Sequence, residues 1–159
     1  MSCTFCDVAN SKLKVAKVIE STYALAFLDK YPVVEGHCLV IPKNHYENLW
    51  SLPEVELTDY MQLVAKVQKL ITSNLNCEGA DLRQHYRPFL EESELTKHHI
   101  HFHILPRTFN DEIFKKSLKY HESLRTKPTL KELEKTAQKI IKNKKTPLCR
   151  PAQAQDDDL

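Results

Sequence analysis

A chain of 159 residues, 42% hydrophobic and 28% charged, has the length and composition of one globular domain able to bury a core without disulfide support. Its formal charge of +2 is too small to imply nucleic acid or a membrane surface as an obligate partner. Its apolar runs are too short for a transmembrane helix, and the opening MSCTFCDVANSKLKVAKV lacks the apolar centre of a secretory signal, so a cytoplasmic location is expected.

In that reducing setting the five cysteines, an odd number, read as thiols or metal ligands rather than as a disulfide framework. VAKVIES (15–21) and YALAFLD (23–29) are short β-favouring runs close enough to form a hairpin. Pro32 and Gly36 supply a turn, and HCLVIP (37–42) is an apolar run typical of a buried strand, stopped by proline. SLPE (51–54) predicts a capping box, opening a helix from about Pro53 to Asn74 on which Leu57, Tyr60, Met61, Val64 and Ile71 recur at helical spacing. A weaker extended segment surrounds 81–86, and Pro88 opens a loop in RPFLEES. After residue 107, NDEIFKKSLKYHESL predicts a helix from near Asn110. TLKE (129–132) predicts a second capping box, with Leu130, Leu133, Ala137 and Ile141 as a stripe on the helix that follows. The last residues, 143–159, combine a basic cluster, two prolines and an acidic end, which reads as a mobile tail; a nuclear-targeting signal, and so a nuclear location as well, is the alternative for the cluster. Gly36 and Gly79 are the only glycines, which excludes a glycine-rich phosphate cradle; a bound phosphate must be held by side chains or one helix end.

Four of the eight histidines fall in six positions, within HHIHFHILPR (98–107). In an extended segment over 98–105, Ile100, Phe102 and Ile104 point to one face, which must be core, while His99, His101 and His103 share the other. Three adjacent imidazoles suit a metal, a phosphate, or a nucleophile with helpers, because imidazole is partly unprotonated near neutral pH. Pro106 and Arg107 are expected to end the strand and add a fixed positive charge.

The run His99-Ile100-His101-Phe102-His103-Ile104-Leu105 resembles the mark of the histidine triad (HIT) family, His-φ-His-φ-His-φ-φ with φ apolar. CTFCDV, YALAFLDKYPVVEGHCLVIPKNH and the helix that follows are also similar to that family, in the same order. The resemblance implies an α+β fold, an antiparallel sheet with one long helix packed on it, here with extra C-terminal helices, and a homodimer. It divides the chain into a triad domain core at 1–107, a helical extension at 108–142 and the tail at 143–159. It further implies a hydrolase or transferase that cleaves a nucleoside monophosphate, purine for preference, from a phosphoramidate or dinucleoside polyphosphate. His101 would be the nucleophile and form a covalent nucleotidyl-histidine, with His99 and His103 on either side and His103 donating to a phosphate oxygen. His37 would fix the nucleophile's tautomer through nearby backbone; a satisfied core histidine is its alternative. Asp29 would accept from both ribose hydroxyls, Phe5, Val8, Leu13 and Phe27 would wall the base, and Arg107 would face the nucleotide. A turn-forming role for Asp29 and plain core roles for the apolar four are the alternatives.

The chain departs from the family before the triad, where Leu95 stands in place of glutamine and Thr96 in place of serine. Thr96 still offers a hydroxyl proton to a leaving group. DLRQHYRPFLEESELTKH carries Arg83, Gln84, His85 and Arg87, each able to meet phosphate and each equally at home in a solvated loop. Cys3-x-x-Cys6 is a chelating pair of the kind zinc prefers. By resemblance it joins His45 and His99 in a closed, structural Zn2+ site, leaving Cys38 and Cys77 as buried thiols and Cys149 without a partner. A non-catalytic nucleotide-binding scaffold is the rival function, and an intact His101 counts against it.

Overall fold

The computed structural model describes residues 3–93 and 96–142, so Leu95, Cys149 and the expected tail lie outside the described residues. The chain divides into two compact units, one up to Lys115 and one from Lys116 onward. In the first, α1 (Thr4–Ala9) precedes β1 (Lys17–Glu20), β2 (Ala24–Leu28) and β3 (Cys38–Pro42). Then come α2 (Glu54–Asn74), β4 (Gly79–Gln84) and β5 (Phe102–Arg107). Among the described residues five strands form one antiparallel sheet in the order β1-β2-β3-β5-β4. This is the α+β arrangement expected, with α2 as the single long helix on the sheet.

Period-two alternation explains both faces of the sheet. Ala24, Ala26, Cys38, Val40, Ile100, Phe102 and Ile104 join Tyr60, Leu63, Val64, Val67 and Ile71 of α2 in the main core. The Tyr60 hydroxyl donates to the Val40 carbonyl at 3.0 Å, which satisfies a polar group buried at that interface. Leu25, Phe27, Leu39 and Ile41 point the other way and pack with Phe5 and Val8 of α1 in a second core. Strands β2 and β3 are therefore covered on both sides, which is why they read as continuous apolar runs. Cys38 is buried as expected, whereas Cys77 is only half-buried.

Three local expectations are corrected. The strand bearing the histidines begins at Phe102, not His98, and continues through Pro106 and Arg107, which pair with Ala80 and Gly79 of β4. Proline is tolerated there because the pairing of β3 with β5 ends at Ile104, so Pro106 has a partner strand on one side only, as at a sheet edge. The capping box at Ser51–Glu54 does not form. Ser51 instead ends a 3-10 turn whose cap is Asn48, with the Asn48 side chain accepting from the Ser51 amide at 3.0 Å and hydroxyl at 2.8 Å. Helix α2 then starts after Pro53 without a side-chain cap.

The helix expected from near Asn110 is α3 (Glu112–Leu124), which begins in the first unit, and α4 (Leu130–Lys142) follows in the second. The capping box at its start does form: the Thr129 hydroxyl and amide both donate to Glu132 at 2.8 Å. Leu130, Leu133 and Ile141 of the expected stripe are exposed.

Candidate active site

The triad residues all lie on the face of the sheet that carries the second core. His103 sits in β5 opposite Leu39 of β3 on one side and Arg83 of β4 on the other. His99 and His101 lie in the irregular segment leading into the strand, yet alternation persists through it. Ile100 is buried against α2, while His99 and His101 turn to the opposite face.

His101 Nδ1 lies 2.9 Å from the His99 carbonyl oxygen. A carbonyl only accepts, so Nδ1 carries the proton and Nε2 keeps its lone pair. Burial lowers the His101 pKa, and the nearby His99 and His85 rings add to this against the His99 carbonyl. The ring is thus neutral at physiological pH. Phe5 packs edge-on against it, centroids 5.1 Å apart, and fixes its plane.

His37 does not act on His101, contrary to expectation. Its Nε2 lies 2.9 Å from His103 Nδ1. The reason is register: Cys38 pairs with Ile104, which brings His37 beside His103, one pleat away from the central ring. The other nitrogen of His37 is 3.5 Å from both the Val33 amide and Asp29 Oδ2. The Val33 amide donates to that nitrogen, so the proton of neutral His37 sits on Nε2, which donates to His103 Nδ1 and leaves His103 protonated at Nε2. Burial first, and then the surrounding His101, His37, His85 and Arg83, bring the His103 pKa down to about 3.

A cleft of about 520 Å³, part of it open solvent, adjoins these rings; Glu47, His85, Arg87, Lys97, His101 and His103 line it. Thr96 is also on its wall. His85, two residues beyond Arg83, extends the β4 face toward the triad, its ring 5.7 Å from that of His103. The signal for it in the sequence was the same alternation that aligned the triad, applied to a segment that reads equally well as loop.

The remaining site residues separate. Asp29 binds the Tyr31 amide at 2.9 Å through Oδ1, the turn role named as its alternative, with Oδ2 toward His37. Phe5, Val8 and Phe27 are buried together in the second core, but Leu13 is 46% exposed and does not join them. The turn at Ser11, with φ of 60°, carries it outward. Arg107 is corrected: it does not line the cleft, and is held in a bidentate pair with Asp111 at 2.7 Å and a further pair with Asp81. Its charge is already matched by two carboxylates.

Cys3, Cys6, His45 and His99 form a second cluster, all four ligand atoms within 4.8 Å of one another. His99 Nδ1 is 3.4 Å from Cys3 Sγ and 3.6 Å from Cys6 Sγ, and His45 Nδ1 is 3.5 Å from Cys6 Sγ. A tetrahedral zinc, with Zn–S of roughly 2.3 Å and Zn–N of about 2.0 Å, sets sulfur–nitrogen edges at about 3.5 Å. His99 Nε2 donates to the Pro42 carbonyl at 3.0 Å, which leaves Nδ1 unprotonated and aimed at the thiols. Donor chemistry and spacing therefore fit zinc. Burial raises the Cys3 thiol, but His45 and His99 outweigh it and bring its pKa to about 5, while burial and the neighbouring Cys3 push Cys6 up to about 12.

Three clustered imidazoles on one sheet face, one of them buried, neutral and presenting a lone pair at a cleft, mark the chain as an α+β domain built around a histidine triad. The HIT domain family model matches residues 10–110. The chain belongs to the histidine triad family. It is 37% identical over 109 residues to the adenosine 5′-monophosphoramidase of Saccharomyces cerevisiae, a match covering 67% of this chain and 63% of that protein, so the chain spans a little under two thirds of that relative. Among solved structures, a HIT family protein from Bacillus anthracis superposes with a TM-score of 0.66 at 26% identity, covering 88% of this chain and 95% of that one. A zinc-bound histidine triad protein from Mycobacterium smegmatis superposes with a TM-score of 0.61 at 26% identity, covering 83% and 87%.

Proposed function

We propose that this protein hydrolyses nucleoside 5′-phosphoramidates, releasing the nucleoside monophosphate through a covalent intermediate on His101. The observation that carries this reading is the 2.9 Å contact from His101 Nδ1 to the His99 carbonyl, which leaves Nε2 unprotonated at the cleft. The adenosine phosphoramidase similar to this chain supports the substrate class.

In the first step the Nε2 lone pair of His101 forms a bond to the α-phosphorus as the phosphorus–nitrogen bond of the substrate breaks. The amine leaves with that bonding pair and takes a proton relayed from water through the Thr96 hydroxyl. His103, with Nε2 protonated, donates to a phosphate oxygen as negative charge develops. In the second step a water oxygen bonds to phosphorus, the pair of the nitrogen–phosphorus bond returns to His101, and the surplus proton replaces the one drawn through Thr96. Asp29 is assigned to the ribose hydroxyls with Oδ2, and Phe5 keeps the nucleophilic ring in plane.

Zinc at Cys3, Cys6, His45 and His99 is proposed as structural. Four protein ligands leave no open position, and when bound the ion clamps α1 to the segment that carries His101. That a similar histidine triad protein is zinc-bound supports the choice of metal.

The test is to incubate the wild type and His101→Ala with adenosine 5′-phosphoramidate and search intact-mass and peptide spectra for an adenylylated histidine. A transient adenylyl group on the peptide containing His101, and a loss of about a thousandfold or more in kcat/KM for the variant, are expected. A folded wild type that is neither labelled nor active would overturn the reading. For the metal, a zinc-to-protein ratio near one after gentle purification is expected, and a ratio near zero removes the zinc assignment.

A further inference from the structure

We infer that the cleft beside His101 selects leaving groups that carry a negative charge of their own, and that Arg87 and Lys97 are the residues that hold that charge. The inference rests on the nucleotidyl-transfer reading and concerns the part of the substrate that is expelled.

The cationic side chains near the triad divide into two kinds. Arg107 is paired with Asp81 and Asp111, and Arg83 is paired with Asp81 at 2.8 Å, so neither is available to a ligand without breaking an existing ion pair. Arg87 and Lys97 also lie near the triad, but on the cleft wall, and neither side chain has a hydrogen-bond or ion-pair partner among the described residues. Among the described residues Glu47 is the one carboxylate on that wall, where Arg87 and Lys97 supply two positive charges. The His98 ring, also on the wall, is already engaged, donating from Nε2 to the Leu90 carbonyl at 2.8 Å.

The segment that carries these two cations is organised rather than merely long. The Leu90 amide donates to the Arg87 carbonyl at 3.1 Å, and the Ser93 amide to the Thr96 carbonyl at 2.9 Å. The His98 amide donates to Glu92 at 3.0 Å. Tyr86, next to Arg87, packs edge-on against Trp50, ring centroids 4.9 Å apart. These contacts turn the chain back on itself, so that Arg87 from the outgoing arm and Lys97 from the returning arm face one space. The same space opens from His101, where the substrate's scissile bond must lie.

The chemistry follows from this placement. When the phosphorus–nitrogen bond breaks, the departing nitrogen carries off the bonding pair and takes its proton through Thr96, and its own anionic group stays between Arg87 and Lys97. Guanidinium and ammonium both bind carboxylate or phosphate through charge-assisted hydrogen bonds. A neutral amine gains nothing from them and leaves both cations solvated.

Three matched adenosine 5′-phosphoramidates test this, their amines being n-propylamine, β-alanine and phosphoethanolamine: neutral, carboxylate-bearing and phosphate-bearing. For the wild type, kcat/KM is expected to be about tenfold or more higher for at least one anionic amine than for n-propylamine, the size of a partly exposed charge-assisted contact. The ranking of the two anionic substrates distinguishes carboxylate from phosphate as the group preferred. The ratio should fall toward one in Arg87→Gln/Lys97→Gln, and should shrink for the wild type as salt is raised. Equal rates on all three substrates, or a preference that survives both the double substitution and high salt, overturn the inference while leaving the nucleotidyl reading intact. Absence of turnover on all three overturns both.

Discussion

His37 and His103 are joined ring to ring, Nε2 to Nδ1, at 2.9 Å, and the far nitrogen of His37 meets Asp29 Oδ2 and the Val33 amide at 3.5 Å. The proton state of His103 at the cleft is thus set by a residue from the turn before β3. His37→Ala removes the partner that orients His103, and kcat is expected to fall by about ten- to a hundredfold, the range seen when an orienting second partner is lost. KM should change less, since His37 itself is buried and does not line the cleft. Steady-state kinetics on an adenosine phosphoramidate check this. A variant with unaltered kcat would reduce His37 to a core histidine.

The depressed pKa of His103, about 3, has a consequence for stability with a definite sign. The unfolded chain binds this proton with a pKa near 6.5, so between about pH 6.5 and 3 the unfolded state holds more protons than the folded one. Stability is fully present above that range and is lost as pH falls through it. The groups facing His103 from its neighbours (His101, His37, His85 and Arg83) all push in the same direction. The thermal midpoint should be flat above about pH 7 and should drop by a few degrees by pH 5. His103→Gln should flatten part of that fall, and calorimetry at a series of pH values measures it.

Arg107 belongs to the framework. Its guanidinium is held by Asp81 of β4 and by Asp111, just before α3. Arg107→Ala leaves Asp111 without its guanidinium and Asp81 with Arg83 alone, so the thermal midpoint should fall by a few degrees, while KM for the nucleotide substrate stays within about twofold. A large rise in KM with no change in midpoint would restore it to the nucleotide site.

Gly36 precedes His37 and has φ of +79°, the left-handed region. A Cβ there would meet the Leu75 side chain and approach Pro106 Cγ to 3.2 Å. Gly36→Ala is expected to cost about 1–2 kcal/mol in backbone strain, with more from the contact with Leu75. Because the strain sits beside His37, kcat should fall along with stability in urea unfolding. A neutral substitution would mean that the turn relaxes freely.

Much of the domain was legible in the sequence because its patterns are local. The runs 24–28 and 38–42 are apolar at every position, so each carries its own evidence of burial on both faces. The His-φ-His-φ-His spacing likewise aligned three rings by backbone geometry alone, even though the strand proper starts only at Phe102. Helix α2 announced itself through Tyr60, Val64 and Ile71, whose spacing needs no partner to be read.

What the sequence determined by itself, then, is the face on which each histidine stands and the class of chemistry that such a face allows. The tertiary structure decided which ring bonds to which. Pairing of Cys38 with Ile104 gave His37 to His103 rather than to His101, and pairing of Gly79 with Arg107 brought Asp81 to the guanidinium. It also brought Cys3 and Cys6 to His45 and His99, across separations of up to 96 residues. The physical reason is that side-chain direction follows from the backbone's own period, whereas a contact between distant residues depends on strand register, and register is set by the packing of the whole sheet.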